Sequence, residues 1–87
     1  MYSLAYEKRV FKDLDNIPKT EVEKITATAS HLKQNPFPAG KYKKLSGSTG
    51  LYRIRQGDYR IIYTVDTAQK QINIILIRHR KESYRDL

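Results

Sequence analysis

The sequence predicts a small α+β domain of order β-α-α-β-β-β, an antiparallel sheet with a helical hairpin packed on one face. Three observations carry this. Two runs of alternating side chains, Leu51–Gln56 and Tyr59–Val65, flank Gly57-Asp58, and period-2 alternation around a Gly-Asp pair marks a β-hairpin. Two stretches with apolar residues at helical spacing are separated by Pro18, which predicts two antiparallel helices. A nearly all-apolar run, Gln71–Arg78, has the length and composition of a central strand buried on both faces.

Each element follows in chain order. Tyr2, Leu4 and Tyr6 alternate with Ser3 and Ala5, which predicts a short first strand over 2–6. A helix follows from Glu7 to about Asn16, its apolar stripe formed by Val10, Phe11, Leu14 and Ile17, and Pro18 ends it. The second helix starts near Thr20, where Thr20 and Glu23 have capping-box spacing. Its stripe is Val22, Ile25, Ala29 and Leu32, and it ends before Asn35-Pro36. His31 lies beside the stripe and reads as a solvated surface residue. Residues 35–50 read as a loop punctuated by Pro and Gly and charged by Lys41, Lys43 and Lys44. It is either simply solvated or faces phosphate, with Tyr42 placed to stack on a base. The hairpin Leu51–Asp66 comes next, then a turn at Thr67–Lys70 and the last strand. In the hairpin, Leu51, Arg53 and Arg55 share one face and Tyr52 and Ile54 the other. Tyr52, Tyr59 and Tyr63 read as packing residues and Asp58 as a turn residue.

Composition bounds the function. With 87 residues there is room for one domain, 1–87, and one core. The absence of Cys excludes a disulfide framework and a thiolate metal site. There is no apolar run near the ~18 residues of a membrane span and no charged-then-apolar leader, so the expected setting is cytoplasmic, away from membrane. The formal charge is +8, of which +1 falls on residues 1–40 and +7 on residues 41–87. A basic excess confined to one half points to nucleic acid, the ribosome or an acidic protein partner.

The element order resembles the RelE/ParE toxin superfamily of bacterial type II toxin–antitoxin systems. So do K-K-L-S-G at 43–47, G-L-Y-R-I-R-Q-G-D-Y-R-I-I-Y at 50–63 and I-R-H-R-K-E-S-Y-R at 77–85. The resemblance covers essentially the whole chain. It implies a RelE-like fold and a metal-free, ribosome-dependent mRNA endoribonuclease with no cofactor. Its partners would be the ribosome, mRNA and a cognate antitoxin that wraps the basic surface, with DNA reached only through that antitoxin. By the same resemblance, Arg53, Arg55, Arg60, Arg80 and Tyr84 form the active surface, binding the scissile phosphate, moving protons and stacking on a base. Lys41, Lys43, Lys44, Arg78, Lys81 and Arg85 would support contact with RNA or the ribosome. The chain departs from the family pattern by carrying Arg53 and Arg55 where lysines often stand, by Ser46 in the K-L-x-G loop, and by a short interval from Arg80 to Tyr84. A ParE-like gyrase poison, which shares the fold, and a non-catalytic RNA-binding module are the alternatives.

The residue chemistry is consistent with RNA cleavage. No tight His/Asp/Glu cluster suggests a metal nuclease, and RNA supplies its own nucleophile in the 2′-OH. The guanidinium fork matches phosphate oxygens, but arginine, with a pKa above ~12, is a poor general base at neutral pH. Arg53 and Arg55 therefore read as clamps. His79 is the one nearby side chain that ordinarily titrates near neutrality, which makes it a catalytic acid/base candidate. The alternative is a His packed at the strand end, since strand alternation turns it away from Arg78 and Arg80.

Overall fold

The computed structural model describes residues 1–45 and 50–82. Seven elements lie among the described residues: β1 (Ser3–Tyr6), α1 (Lys8–Asp15), α2 (Lys19–His31), β2 (Tyr42–Lys44), β3 (Leu51–Gln56), β4 (Tyr59–Asp66) and β5 (Gln71–His79). The strands form one sheet of order β1-β5-β4-β3-β2. The β3-β4-β5 meander is antiparallel, as the alternation predicts. Two features differ from the expected sheet. β1 runs parallel to β5, because the helical hairpin carries the chain across to the far edge before β2 begins. The 35–50 stretch, expected to be loop throughout, also contributes β2 as an antiparallel edge strand. Three residues are too few to show alternation, and this strand exists only by pairing with β3.

The helices begin and end close to the sequence signals, but the second cap is different. Pro18 is the N-cap of α2 and no side chain caps it. The Pro18 carbonyl accepts the N–H groups of Glu21 and Val22, which places Thr20 inside the first turn, where its hydroxyl is no N-cap. The helix stops at His31, four residues before Asn35. Phe11, counted in the α1 stripe, is 56% exposed and only tilts against Tyr6. Its neighbour Val10 takes the fully buried position.

One face of the sheet holds the main core. Val10 from α1 and Ile25, Ala29 and Leu32 from α2 pack on Ile54, Ile61, Tyr63, Ile72, Ile74 and Ile77. A β-bulge in β5 decides which residues reach this face. Ile62 pairs with Leu76 but Tyr63 with Ile74, leaving Ile75 as the extra residue. An extra residue inverts side-chain parity. Ile72 and Ile74 therefore face the helices before the bulge and Ile77 does so after it, while Leu76 and Arg78 turn to the opposite face.

Tyr63 anchors the 35–38 segment. Its hydroxyl donates to the Pro36 carbonyl at 2.7 Å, and Phe37, Tyr42 and Tyr52 extend an aromatic cluster from its ring with centroid separations of 5.1–6.0 Å. Tyr42 is thus packed against Phe37 and Tyr52 rather than presented as a base-stacking platform. Burial, with the neighbouring Tyr42 and Tyr52 adding to it, raises the Tyr63 pKa well above its ordinary 10.0, and burial raises that of Tyr6. For a phenol raised on folding, the stabilisation is complete below pH 10.0 and is lost as pH climbs through the folded-state value. Tyr63→Phe is expected to lower stability by about 1–2 kcal/mol near neutral pH, because it orphans a buried carbonyl. It should also make the alkaline decline shallower than in the wild type. Urea denaturation at about pH 8 and about pH 11 checks both effects.

Candidate active site

The face of the sheet turned away from the helices carries the basic residues. Cross-strand register places them in two rows. One row reads Lys43–Arg53–Ile62–Leu76 and the other Arg55–Arg60–Arg78. Directly opposed side chains on neighbouring strands lie about 4.5–5.5 Å apart at Cβ, so Arg53, Arg55, Arg60 and Lys43 share one patch, with Arg78 at its β5 edge. Ile62 and Leu76, both fully buried, continue Arg53's own row across β4 and β5 and give the patch an apolar floor.

Like charges directly opposed across a sheet are destabilising, and local acceptors offset this row. The Arg55 Nε donates to the Gly57 carbonyl at 3.0 Å, and the Arg60 Nη1 donates to the Arg80 carbonyl at 2.7 Å. Arg78 is held most tightly. Its Nη1 lies 3.2 Å from the Asp13 carboxylate of α1 and its Nε 3.8 Å from Glu82, and the side chain is only 12% exposed. Asp13 also accepts the Ile77 N–H at 3.1 Å. β1 pairs with β5 only as far as Ile74, so this carboxylate satisfies an amide on the edge that β1 leaves uncovered. The structure gives Arg78 an architectural job, tying α1 to β5, in place of the expected outward contact with RNA.

Arg80 comes to the patch through the hairpin turn. Gly57 has φ +60°, the left-handed conformation that a two-residue hairpin loop needs at its first position. The last rung of the β4–β5 ladder is Tyr59 with His79. One step beyond it, the Arg80 N–H donates to the Asp58 carbonyl at 2.7 Å, and the Arg80 Nε lies 3.6 Å from the Asp58 carboxylate.

His79 is on the other side. Its ring meets Tyr59 edge-on at 5.3 Å, and its Nδ1 accepts the Lys81 N–H at 3.2 Å. It borders a cavity of about 260 Å3 with Asp13, Tyr59, Arg78 and Glu82. Its parity, read from the strand, keeps it apart from Arg53, Arg55 and Arg60, so the catalytic role considered for it has no geometric support.

Of the lysines, only Lys43 joins the basic face, opposite Arg53. Lys44 pairs with Tyr52 on the helix side of the edge strand. Lys41 is exposed at a groove of about 680 Å3, which it lines with Thr28, His31, Leu32, Ile54 and Arg55. Lys81 is exposed beyond β5. Tyr84, Arg85 and Ser46 lie outside the described residues. Sequence reasoning missed three carboxylates. Asp58 was legible as a turn residue but its partner was not, while Asp13 and Glu82 carry no local signal. Among the described residues, no group of three or more His, Cys, Asp or Glu side chains gathers to hold a metal ion, and no helix is long and apolar enough to cross a membrane.

Comparison with known proteins fits this arrangement. Residues 4–84 match the family model described as the ParE toxin of type II toxin–antitoxin systems. The chain is 34% identical over 87 residues to the putative toxin RelE1 of Methanocaldococcus jannaschii, covering 98% of this chain and 97% of that one. It is also 34% identical to the toxin RelE of Mycobacterium tuberculosis, over 97% of this chain and 87% of that one. Among solved structures, the archaeal RelE–RelB complex from Pyrococcus horikoshii OT3 is similar at a TM-score of 0.80 and 32% identity, with 94% of this chain and 98% of that chain covered. A helical hairpin on one face of a five-stranded sheet, an arginine patch on the other, and full-length relatives of this kind place the chain in the RelE/ParE superfamily of type II toxin–antitoxin toxins.

Proposed function

We propose that this toxin is a ribosome-dependent mRNA endoribonuclease. The observation that carries the reading is the convergence of Arg53, Arg55 and Arg60 on one sheet face, with Arg80 tied to the same hairpin. In the reaction the RNA 2′-OH loses its proton as its oxygen attacks the adjacent phosphorus, the P–O5′ bond breaks, the leaving 5′-oxygen takes up a proton, and the products are a 2′,3′-cyclic phosphate and a 5′-hydroxyl. Charge builds on the phosphorane oxygens as the 2′-O–P bond forms. Fixed guanidinium groups are suited to that charge, because their planar forks match the oxygens and stay protonated. Arg53 and Arg55 serve as phosphate clamps, and Arg80 faces the charge that develops on the leaving 5′-oxygen. The apolar floor of Ile62 and Leu76 lowers the local dielectric beneath these charges, which strengthens each contact.

A cognate antitoxin is inferred as the partner, since several solved relatives are RelE–RelB complexes. An acidic or apolar segment laid over the arginine face would neutralise it. The test is translation in a reconstituted system with the wild-type chain, followed by mapping of mRNA ends. Translation-dependent cuts bearing 2′,3′-cyclic phosphate or 3′-phosphate are expected, and intact mRNA on translating ribosomes would sink the reading. The family model's ParE description favours one second reading, a gyrase poison on the same fold. Inhibition of DNA supercoiling with mRNA left intact is the pattern that reading requires.

A further inference from the structure

We propose that Asp58 is a positioning residue for Arg80 in the cleavage reaction, a role that rests on the endoribonuclease reading. Three contacts converge on Arg80. Its N–H donates to the Asp58 carbonyl at 2.7 Å, its carbonyl accepts from Arg60 Nη1 at 2.7 Å, and its Nε lies 3.6 Å from the Asp58 carboxylate. The two main-chain bonds fix where Arg80 leaves the sheet. The side-chain ion pair draws the Nε edge of its guanidinium toward Asp58.

Engagement at Nε leaves the two terminal nitrogens, which form the fork that fits two phosphate oxygens. The two side chains are 50% and 58% exposed, and ion pairs that open to water contribute little to folding. Orientation of Arg80 is therefore the contribution that remains for this carboxylate. Asp58 has a second and opposite effect. A carboxylate beside the phosphate path repels RNA in the ground state. Its removal should strengthen binding while it weakens turnover, because the arginine loses its aim toward the charge that develops only in the transition state.

The test uses the full chain and its Asp58→Asn variant, which keeps the shape and the main-chain carbonyl, on ribosomes programmed with mRNA. The expected result is a kcat lowered about 10-fold with a KM lowered about 3-fold, at an unchanged melting temperature. A kcat that is unchanged or raised would overturn the proposal and leave Asp58 a mere counter-ion. A lower kcat accompanied by a raised KM and a lowered melting temperature would overturn it in favour of a purely structural role. A second arm needs no cleavage. The nitrogen-15 Nε–H signal of Arg80 in the free chain should lose order in Asp58→Asn, and unchanged order would also refute the pairing. Should the wild type fail to cut mRNA, the endoribonuclease reading fails, and this signal still decides whether Asp58 holds Arg80.

Discussion

Replacing Arg80 with alanine is expected to lower translation-dependent mRNA cleavage by about 10²–10³-fold, the usual cost of removing one fixed donor to transition-state charge. The fold should be nearly unaffected. The side chain is half exposed, and the bonds that anchor this position, from its N–H to Asp58 and from Arg60 to its carbonyl, use main-chain atoms that alanine retains. Single-turnover cleavage on programmed ribosomes, read beside urea denaturation, separates the two quantities. Arg80→Lys should recover only part of the loss, since an ammonium keeps the charge but not the planar fork. A full rate with Arg80→Ala would remove Arg80 from the chemistry.

The parts of the fold legible in the sequence are those set by local pattern. The β3–β4 hairpin announces itself through Gly57-Asp58 and two alternating runs, and β5 through its apolar length. What the sequence hid is set by distant pairing. β2 owes its existence to Arg53 and its neighbours across the hairpin, and its three residues show no period of their own. The direction of β1 follows from the helical crossover and not from its own residues. The bulge at Ile75 is equally silent, yet it is what sends Ile77 into the core and Arg78 to the basic face.

The same distinction applies to the site. Arg53, Arg55 and Arg60 were legible as residues of one hairpin because alternation fixes their faces. Alternation also turned His79 away, and its ring does pack against Tyr59 on the helix side. Arg78 was not legible. Its partner Asp13 is 65 positions away, and nothing near residue 78 indicates that the cation is already engaged. A basic residue at a strand end reads as a nucleic-acid contact until the carboxylate from another element is seen.

Arg60→Ala is expected to lower cleavage by a similar factor, on the order of 10²-fold, but with a structural cost that Arg80→Ala lacks. Arg60 sits in the middle of the Arg55–Arg60–Arg78 row and donates to the Arg80 carbonyl. Loss of a charged donor to that carbonyl should cost about 1.5 kcal/mol of stability. Relief of like-charge repulsion with Arg55 works against this, so the net change in urea should be smaller than the hydrogen bond alone implies. The kinetic consequence is sharper. If Arg60 acts partly by holding Arg80 in place, much of its contribution disappears once Arg80 is gone. The Arg60→Ala/Arg80→Ala double variant should then lose far less than the product of the two single losses, with a coupling of about 1–2 kcal/mol in the cycle. Losses that multiply fully would mean that the two guanidinium groups meet the phosphate independently and that the 2.7 Å contact has no bearing on the reaction.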